Sequence, residues 1–263
     1  MEEQQELKLD FKISAKPAVS VSSVKLPKFF TDEMNEYIDK EVIPNDSSYA
    51  DGLVGQIRQD KRSAQLDYGL LETDSGQKLK GLLDSCSNVY LQKIGFPNKI
   101  ADVYESWTIH SYAGDYNPMH DHGVRTTAGL SMILYLKVPE CIEKLENPSD
   151  KGGNVYLNNS SGEVDGFTFF SWANVGNKMY NMLYPAGESY VKPEVGHLLI
   201  FPNWLKHAVM PFYGDGERRT LAANANVISP EMYNWKDASE EDRKKLLQTL
   251  RGDNISIQWR KDG

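Results

Sequence analysis

The chain has little cysteine and no concentration of positive charge. Only two of its 263 residues are cysteines, Cys86 and Cys141, and 37 acidic residues outnumber 29 basic ones for a net charge of −8. Two cysteines are too few for a disulfide framework. Binding to nucleic acid normally requires a dense basic patch. We therefore expect two reduced thiols and no nucleic-acid partner.

Long apolar runs are also missing. No stretch approaches the ~20 apolar residues that a membrane-spanning helix needs. The segment Met1–Glu6 is acidic, whereas a signal peptide begins basic and then turns apolar. We expect a cytoplasmic protein without a membrane partner, and the apolar share of 40% is enough for an ordinary core.

Hydrophobic periodicity predicts two helices in the first hundred residues. Thr31 is the predicted N-cap of the first helix, and Pro44 is predicted to end it. The second helix is predicted to begin near Asp74 or Ser75 and to stop at Gly95. Their apolar faces are Phe30, Met34, Tyr37, Ile38 and Val42 in the first helix, and Leu79, Leu82, Leu83, Cys86 and Val89 in the second.

The segment 45–73 between these helices is polar and rich in turn residues. A connection of this length is often a lid or a substrate-facing loop. A plain surface excursion is the alternative.

From about residue 102 to 227, β-branched and aromatic residues alternate with turn residues and predict strands. Two helices followed by about eight strands predict a mainly β, α+β fold, namely a double-stranded β-helix (jelly-roll) barrel supported by N-terminal helices. The predicted strands are 102–113, 117–123, 129–138, 153–158, 165–171, 188–192, 195–202 and 218–227.

We expect one domain over residues 1–263. Its parts are a flexible terminus at 1–16, a helical support with the long loop at 17–101, the jelly-roll core that carries the site at 102–227, and a C-terminal extension at 228–263. A last helix is predicted around 239–250.

Three histidines could meet inside such a barrel. His120 and His122 are separated by one residue on an extended segment, so their side chains project to the same side. His207 follows the apolar run Leu198–Pro202 and could meet them from another strand. Imidazoles that converge in this way bind a transition metal.

A second pair of residues could hold an anion beside that metal. Arg218 and Thr220 lie two residues apart on a later strand and share a face, where a guanidinium and a hydroxyl can bind a carboxylate. A register slip of one residue would exchange Arg218 with Arg219.

The order of these motifs resembles that of the iron(II)- and 2-oxoglutarate-dependent oxygenases, in particular their prolyl-hydroxylase-like branch. The resemblance covers residues 103–227. The residues that carry it are Tyr112 and Gly114, His120 and His122, Leu130-Ser131, Tyr135-Leu136, Gly152-Gly153-Asn154, Pro193 and Gly196, Phe201-Pro202, His207, and Arg218 with Thr220.

This resemblance implies iron(II) as the metal, 2-oxoglutarate as cosubstrate and dioxygen as oxidant. His120 and His207 would be iron ligands, and Arg218 and Thr220 would bind the distal carboxylate of 2-oxoglutarate. Tyr135 would hydrogen-bond the same carboxylate. Tyr112 would line the cosubstrate pocket.

The sequence departs from the family at the second metal ligand. The family places an Asp or Glu two residues after the first histidine, and this chain has His122 there. We expect His122 to complete a three-histidine site. The alternatives are a local bulge that turns Asp121 inward and a degenerate site of two histidines and water.

The expected function is a non-haem oxygenase, in particular a hydroxylase, that converts 2-oxoglutarate to succinate while it oxidises a protein, peptide or small-molecule substrate. Three histidines on a β scaffold also suit a zinc hydrolase or hydratase. A non-catalytic jelly-roll module that binds a metal or a small acid is the third alternative. Assembly as a homodimer is left open.

Overall fold

The computed structural model describes residues 10–16, 19–49, 64–122, 128–146, 164–172 and 187–230. The helices are α1 (Lys28–Tyr37), which continues through a π-helical turn (Ile38–Val42) into α2 (Ile43–Asn45), then α3 (Asp74–Lys93) and α4 (Glu140–Glu143). The strands are β1 (Asp10–Lys16), β2 (Val19–Lys25), β3 (Gln65–Asp67), β4 (Ile100–Ser111), β5 (Asn117–His120), β6 (Gly129–Lys137), β7 (Thr168–Ser171), β8 (Glu188–Val191), β9 (His197–Pro202), β10 (Lys206–Val209) and β11 (Arg218–Ile228).

The strands form two antiparallel sheets. The large sheet has the order β1-β2-β9-β6-β11-β4-β3, and the small sheet has the order β5-β10-β7-β8. Because β9 and β10 belong to different sheets but are joined by a short turn, the chain crosses between the sheets at Asn203–Leu205. Two antiparallel sheets with crossing connections are the arrangement of a jelly roll, so the predicted fold class is confirmed.

Strand β6 shows how the large sheet is buried on both faces. Side chains of a strand alternate between faces, and those of Leu130, Met132, Leu134 and Leu136 belong to a core shared with α1 and α3. Ile133 and Tyr135 point the other way and pack in a second core with Phe170 of β7. One face of the large sheet therefore rests on the helices, and the other faces the small sheet.

The first helix begins earlier than the sequence predicts. Its N-cap position is Pro27, and Thr31 lies buried within the first turn, where its hydroxyl donates to the Lys28 carbonyl at 2.8 Å. The predicted N-cap at Thr31 is therefore wrong. A threonine hydroxyl can also donate to a carbonyl of its own helix, and this is what allows Thr31 to lie inside the helix. The helix ends one residue after Pro44, before Asp46 at φ 47°.

The second helix agrees with its prediction. Thr73 is its N-cap and accepts from the Gly76 amide at 2.9 Å. Gly95, at φ 94°, follows its C-terminus. Leu79, Leu83 and Cys86 of the predicted apolar face are buried.

Several strands differ from the predicted ones. Residues 10–16, predicted as part of a flexible terminus, form β1 and pair with β2 along its whole length. Strand β5 ends at His120 and not at 123, and β10 and β3 were not predicted. The predicted strand at 153–158 and the predicted helix at 239–250 lie outside the described residues, as does the middle of the loop 45–73, residues 50–63.

Within the described ranges, none of the helices combines the length and the apolar character that crossing a bilayer requires.

Two glycines of α3 give a matched test of its packing. A Cβ at Gly76 would overlap the carbonyl oxygen of Gly69 and lie 2.7 Å from that of Leu70, whereas nothing lies within 4 Å of a Cβ at Gly81. We predict that Gly76→Ala lowers the free energy of unfolding by about 1–3 kcal/mol through overpacking. Gly81→Ala should raise it by about 0.5–1 kcal/mol through helix propensity. Thermal unfolding of both variants beside the wild type measures this. Equal melting temperatures for the two variants would contradict the packing described.

Candidate metal and anion site

Two of the predicted histidines face each other across a strand pair. Strands β5 and β10 run antiparallel, with His120 directly opposite His207. Their ring centroids are 4.3 Å apart. Side chains of directly opposed residues lie on the same face of a sheet, so the pairing itself brings both imidazoles to the inner face of the small sheet.

His122 lies two residues beyond the end of β5, and Asn203 holds it there. The His122 amide donates to the Asn203 carbonyl at 3.0 Å, and the Asn203 side-chain amide donates to the His122 carbonyl at 2.7 Å. Asn203 is itself buried in the turn between β9 and β10. The third histidine is thus fixed to the turn that leads into the strand of His207.

The ring nitrogens of the three histidines converge. One nitrogen from each of His120, His122 and His207 lies within 4.8 Å of the others, and the Nε2 atoms of His122 and His207 are 3.3 Å apart. Nδ1 of His120 donates to the Pro118 carbonyl at 2.7 Å, and Nδ1 of His207 donates to the Leu205 carbonyl at 3.0 Å. A hydrogen bond from the far nitrogen is the usual orienting contact of a metal-binding histidine.

Burial keeps these imidazoles neutral. Loss of solvation lowers the pKa of His207 to about 3 and that of His122 to about 4, and it also lowers the pKa of His120. The mutual repulsion of neighbouring imidazolium groups adds to this lowering for His122 and His207. A neutral imidazole has a lone pair on one of its two ring nitrogens, and its tautomer decides which nitrogen can bind a metal.

The Asp121 carboxylate lies away from the three rings. It pairs with Lys206 at 2.8 Å, with 44% of the side chain exposed. The hydrogen bond from Lys206 lowers its pKa. Residues that alternate along an extended chain face opposite sides, and Asp121 follows that rule between His120 and His122. The inward bulge considered as an alternative is not what the structure has.

Arg218 is buried without a carboxylate partner among the described residues. It is 1% exposed, its Nε donates to the Gly166 carbonyl at 3.0 Å, and one terminal nitrogen lies 3.4 Å from the Thr168 hydroxyl. Its guanidinium carbon stands 5.4 Å from the ring centroid of Tyr135. Desolvation lowers the pKa of this guanidinium, yet an arginine keeps its charge at any ordinary pH. A buried cation of this kind calls for an anion.

The other predicted cosubstrate residues divide into two groups. Thr220 is buried on the same face of β11 as Arg218 and lines the same cavity. Tyr135 is fully buried behind Arg218, where its hydroxyl lies 2.7 Å from that of Thr168. Tyr112 is different: it lies past the end of β4, in a turn where its amide donates to Asp115 at 2.7 Å. Neither Tyr112 nor Tyr135 is among the described residues that line the cavity, and the cosubstrate roles of both stay predictions.

The three histidines, Arg218 and Thr220 line one cavity of about 210 Å³. Its apolar walls include Ile109, Ile133, Phe201 and Val209, and a polar wall is formed by Tyr49, Gln65, Glu105, Trp107 and Asn224. The register of the sheets sets the order along this cavity. Arg218 contacts Thr168, and Thr168 pairs with Val209 of β10. His207 lies two residues before Val209, so the guanidinium and the histidines are offset along the cavity.

The polar wall was missed by the sequence analysis. Glu105 accepts from the Tyr49 hydroxyl at 2.6 Å and from the Asn224 amide at 2.8 Å. Tyr49 stacks on Trp107 with ring centroids 5.2 Å apart. The available signal was the period of two: Asn224 shares a face of β11 with Arg218 and Thr220. Nothing in the sequence places Tyr49 there, since it comes from the loop 45–73.

The remaining histidines and Arg219 have partners away from the cavity. His110 is buried between Glu217 at 2.6 Å and Thr108 at 2.9 Å. Arg219 is buried and pairs with Glu217 at 3.0 Å and with Asp39 at 2.6 Å. His197 pairs with a glutamate three residues earlier at 3.3 Å. Arg218, and not Arg219, is therefore the guanidinium of the cavity.

Comparisons with solved structures give distant likenesses. A prolyl-4-hydroxylase from Pseudomonas putida is 15% identical, with a TM-score of 0.45 over 80% of this chain and 92% of that chain. The iron-bound HygX from Streptomyces hygroscopicus is 8% identical, with a TM-score of 0.48 over 78% of this chain and 81% of that chain. No curated protein sequence matches this chain.

The match to a protein family is more informative. Residues 105–224 match the model of a 2OG-Fe(II) oxygenase family. The matched segment contains the three clustered histidines, Arg218 and Thr220. Its ends coincide with Glu105 and Asn224, which pair across β4 and β11. Over this segment, which is 120 of the 263 residues, the chain is similar to the iron(II)- and 2-oxoglutarate-dependent oxygenases.

Proposed function

We propose that this protein is an iron(II)- and 2-oxoglutarate-dependent oxygenase, in particular a hydroxylase. It would bind iron(II) through His120, His122 and His207 and hold 2-oxoglutarate through Arg218 and Thr220. The observation that carries the proposal is a single cavity lined by three neutral imidazoles and by a buried guanidinium. The order of motifs along the sequence supports the prolyl-hydroxylase-like form of this activity.

The donor set fits iron(II). Imidazole nitrogen is a common ligand of iron, zinc and copper, and two of the three rings are oriented by carbonyl acceptors at Pro118 and Leu205. Three neutral imidazoles contribute no negative charge. A bound 2-oxoglutarate would therefore bring the negative charge that a carboxylate ligand supplies in other members of the family.

The anion site fits the distal carboxylate of 2-oxoglutarate. A guanidinium has five N–H donors, and within the described residues Gly166 and Thr168 engage only part of them. The remaining donors can bind a carboxylate bidentately. Thr220 lines the cavity beside Arg218 and can add a hydroxyl hydrogen bond.

Iron(II), 2-oxoglutarate and dioxygen, when bound together, supply the decarboxylation of 2-oxoglutarate to succinate and the conversion of a substrate C–H bond to C–OH. The protein contributes position and environment. Arg218 anchors the cosubstrate at one end of the cavity, and the histidines hold the other reacting groups. Ile133 and Phe201, which are buried beside them, exclude water from the reacting atoms.

The polar wall supports a polar substrate. The indole N–H of Trp107 is buried and has no hydrogen-bond partner among the described residues, so a substrate with a carbonyl acceptor would satisfy it. A peptide or protein substrate and a small polar molecule both offer such an acceptor. The contribution of Tyr49 supports the interpretation of the loop 45–73 as substrate-facing.

We also propose a cytoplasmic protein that binds neither membrane nor nucleic acid. The excess of acidic residues supports this, and so do Cys86 and Cys141, neither of which forms a disulfide.

One test of this proposal concerns the third metal ligand. We expect His122→Ala to weaken iron(II) binding at least tenfold, because it removes one of three donors. Asp121→Ala should leave the affinity within about twofold, because that carboxylate faces Lys206. Anaerobic titration with iron(II) measures both. A loss of affinity in Asp121→Ala alone would contradict the three-histidine site. Tight zinc without any response to 2-oxoglutarate would favour the zinc hydrolase.

Another test concerns Arg218. We expect Arg218→Lys to raise the KM for 2-oxoglutarate by about 10- to 100-fold, since a bidentate charged contact contributes about 1.5–3 kcal/mol. Iron(II) affinity should stay unchanged. Succinate release at varied 2-oxoglutarate gives the KM, and uptake of 2-oxoglutarate without any succinate would favour the non-catalytic binding module. An unchanged KM would remove Arg218 from the cosubstrate site.

A further inference from the structure

The three histidines do not have equivalent partners. His120 and His207 each donate from Nδ1 to a backbone carbonyl, which can only accept. These two rings therefore carry their proton on Nδ1 and present a bare Nε2 to the metal position. Nδ1 of His122 faces a different group, the side-chain nitrogen of Asn224, at 3.4 Å.

The contact with Glu105 sets the orientation of the Asn224 amide, and the Ser131 hydroxyl, which can donate or accept, is compatible with it. Its nitrogen donates to Glu105 at 2.8 Å, and its oxygen accepts from the Ser131 hydroxyl at 2.8 Å. An ionised carboxylate only accepts hydrogen bonds. A half-turn of the amide would exchange its nitrogen and its oxygen. The oxygen would then face the Glu105 carboxylate, and neither group could donate a hydrogen bond. Asn224 is 5% exposed, and water has little access to replace a lost bond.

An amide nitrogen is a donor, so the His122 nitrogen that faces it must accept. His122 then carries its proton on Nε2, which points at the bare Nε2 of His207 3.3 Å away. The hydrogen bonds form one consistent chain, in which Asn224 donates to His122, His122 to His207, and His207 to the Leu205 carbonyl. Metal binding through Nε2 of His122 requires the opposite tautomer.

We infer that Asn224, oriented by Glu105, is a positioning residue that holds His122 in the tautomer with its proton on Nε2 and thereby weakens the third metal ligand. The inference rests on the proposed three-histidine site. When His122 binds a metal, its proton moves from Nε2 to Nδ1 with no net gain or loss, and the Asn224 amide must turn its oxygen toward Nδ1. That rotation breaks the hydrogen bond to Glu105. The hydrogen bonds of Asn224 and Glu105 therefore set how strongly His122 binds the metal.

The tautomers can be observed directly in the wild-type protein. We expect long-range ¹H–¹⁵N correlation spectra of chelator-treated, histidine-labelled protein at pH 7.5 to show His120 and His207 protonated on Nδ1 and His122 on Nε2. The spectrum of His122→Gln assigns the third ring. A His122 protonated on Nδ1 would overturn the inference.

A double substitution tests the effect on the metal. Glu105→Gln with Asn224→Asp moves the carboxylate onto His122 without changing the net charge. The new amide at position 105 can donate to the new carboxylate at position 224 and still accept from Tyr49, so the hydrogen bonds to Tyr49 and Ser131 are kept. His122 Nδ1 would then face an acceptor. Because outer partners of a ligand change metal affinity by about 10- to 100-fold, we expect cobalt(II), used as an air-stable substitute for iron(II), to bind at least about tenfold more tightly.

Asn226→Asp is the matched control. Asn226 lies two residues after Asn224 on the same face of β11. The substitution is the same but does not place the carboxylate on His122, so it should leave the cobalt(II) affinity within about twofold. A double variant within twofold of the wild type would overturn the inference. If His122→Ala and the wild type bound cobalt(II) equally, the three-histidine site itself would fail. If His122→Ala weakened binding and the double variant did not tighten it, only the role of Asn224 and Glu105 would fail.

Discussion

The site depends on the antiparallel register between β5 and β10. This register sets His120 opposite His207, and the same strand β10 pairs on its other side with β7, which carries Thr168 beside Arg218. A slip of one residue would turn His207 to the outer face of the small sheet. Both the convergence of His120 with His207 and the position of Arg218 on the same cavity therefore follow from hydrogen bonds between backbone groups.

The cavity is unusual in its balance of charge. Arg218 is a buried cation, and the three imidazoles are kept neutral by the same loss of solvation that lowers their pKa values. Two carboxylates near the cluster of three histidines are engaged elsewhere: Asp121 pairs with Lys206, and Glu105 accepts from Asn224. An anionic ligand would complement this arrangement, because it would neutralise the buried guanidinium.

Ion pairs and hydrogen bonds hold the strand that presents Arg218. Arg219, the neighbour of Arg218, is bound to Glu217 and to Asp39 near the end of α1. His110 shares the same glutamate. Arg219 is buried on the side of β11 opposite the cavity, and its ion pairs hold the strand that presents Arg218 and Thr220. Arg219, which a register slip of one residue would have exchanged with Arg218, therefore contributes by holding the strand.

The sequence by itself determined the donor types and the faces they share. His120 and His122 lie on one side of their segment with Asp121 on the other, and Arg218 shares a face with Thr220, because the period of a strand is a local property. The apolar faces of both helices and the mainly β class follow from periodicity for the same reason. Only the tertiary structure decided the polar wall, the position of Tyr112 outside the cavity, and the pairing of residues 10–16 as β1. Those features depend on contacts between segments far apart in the chain, such as Glu105 with Asn224, and no local pattern encodes which distant backbone a given side chain will meet.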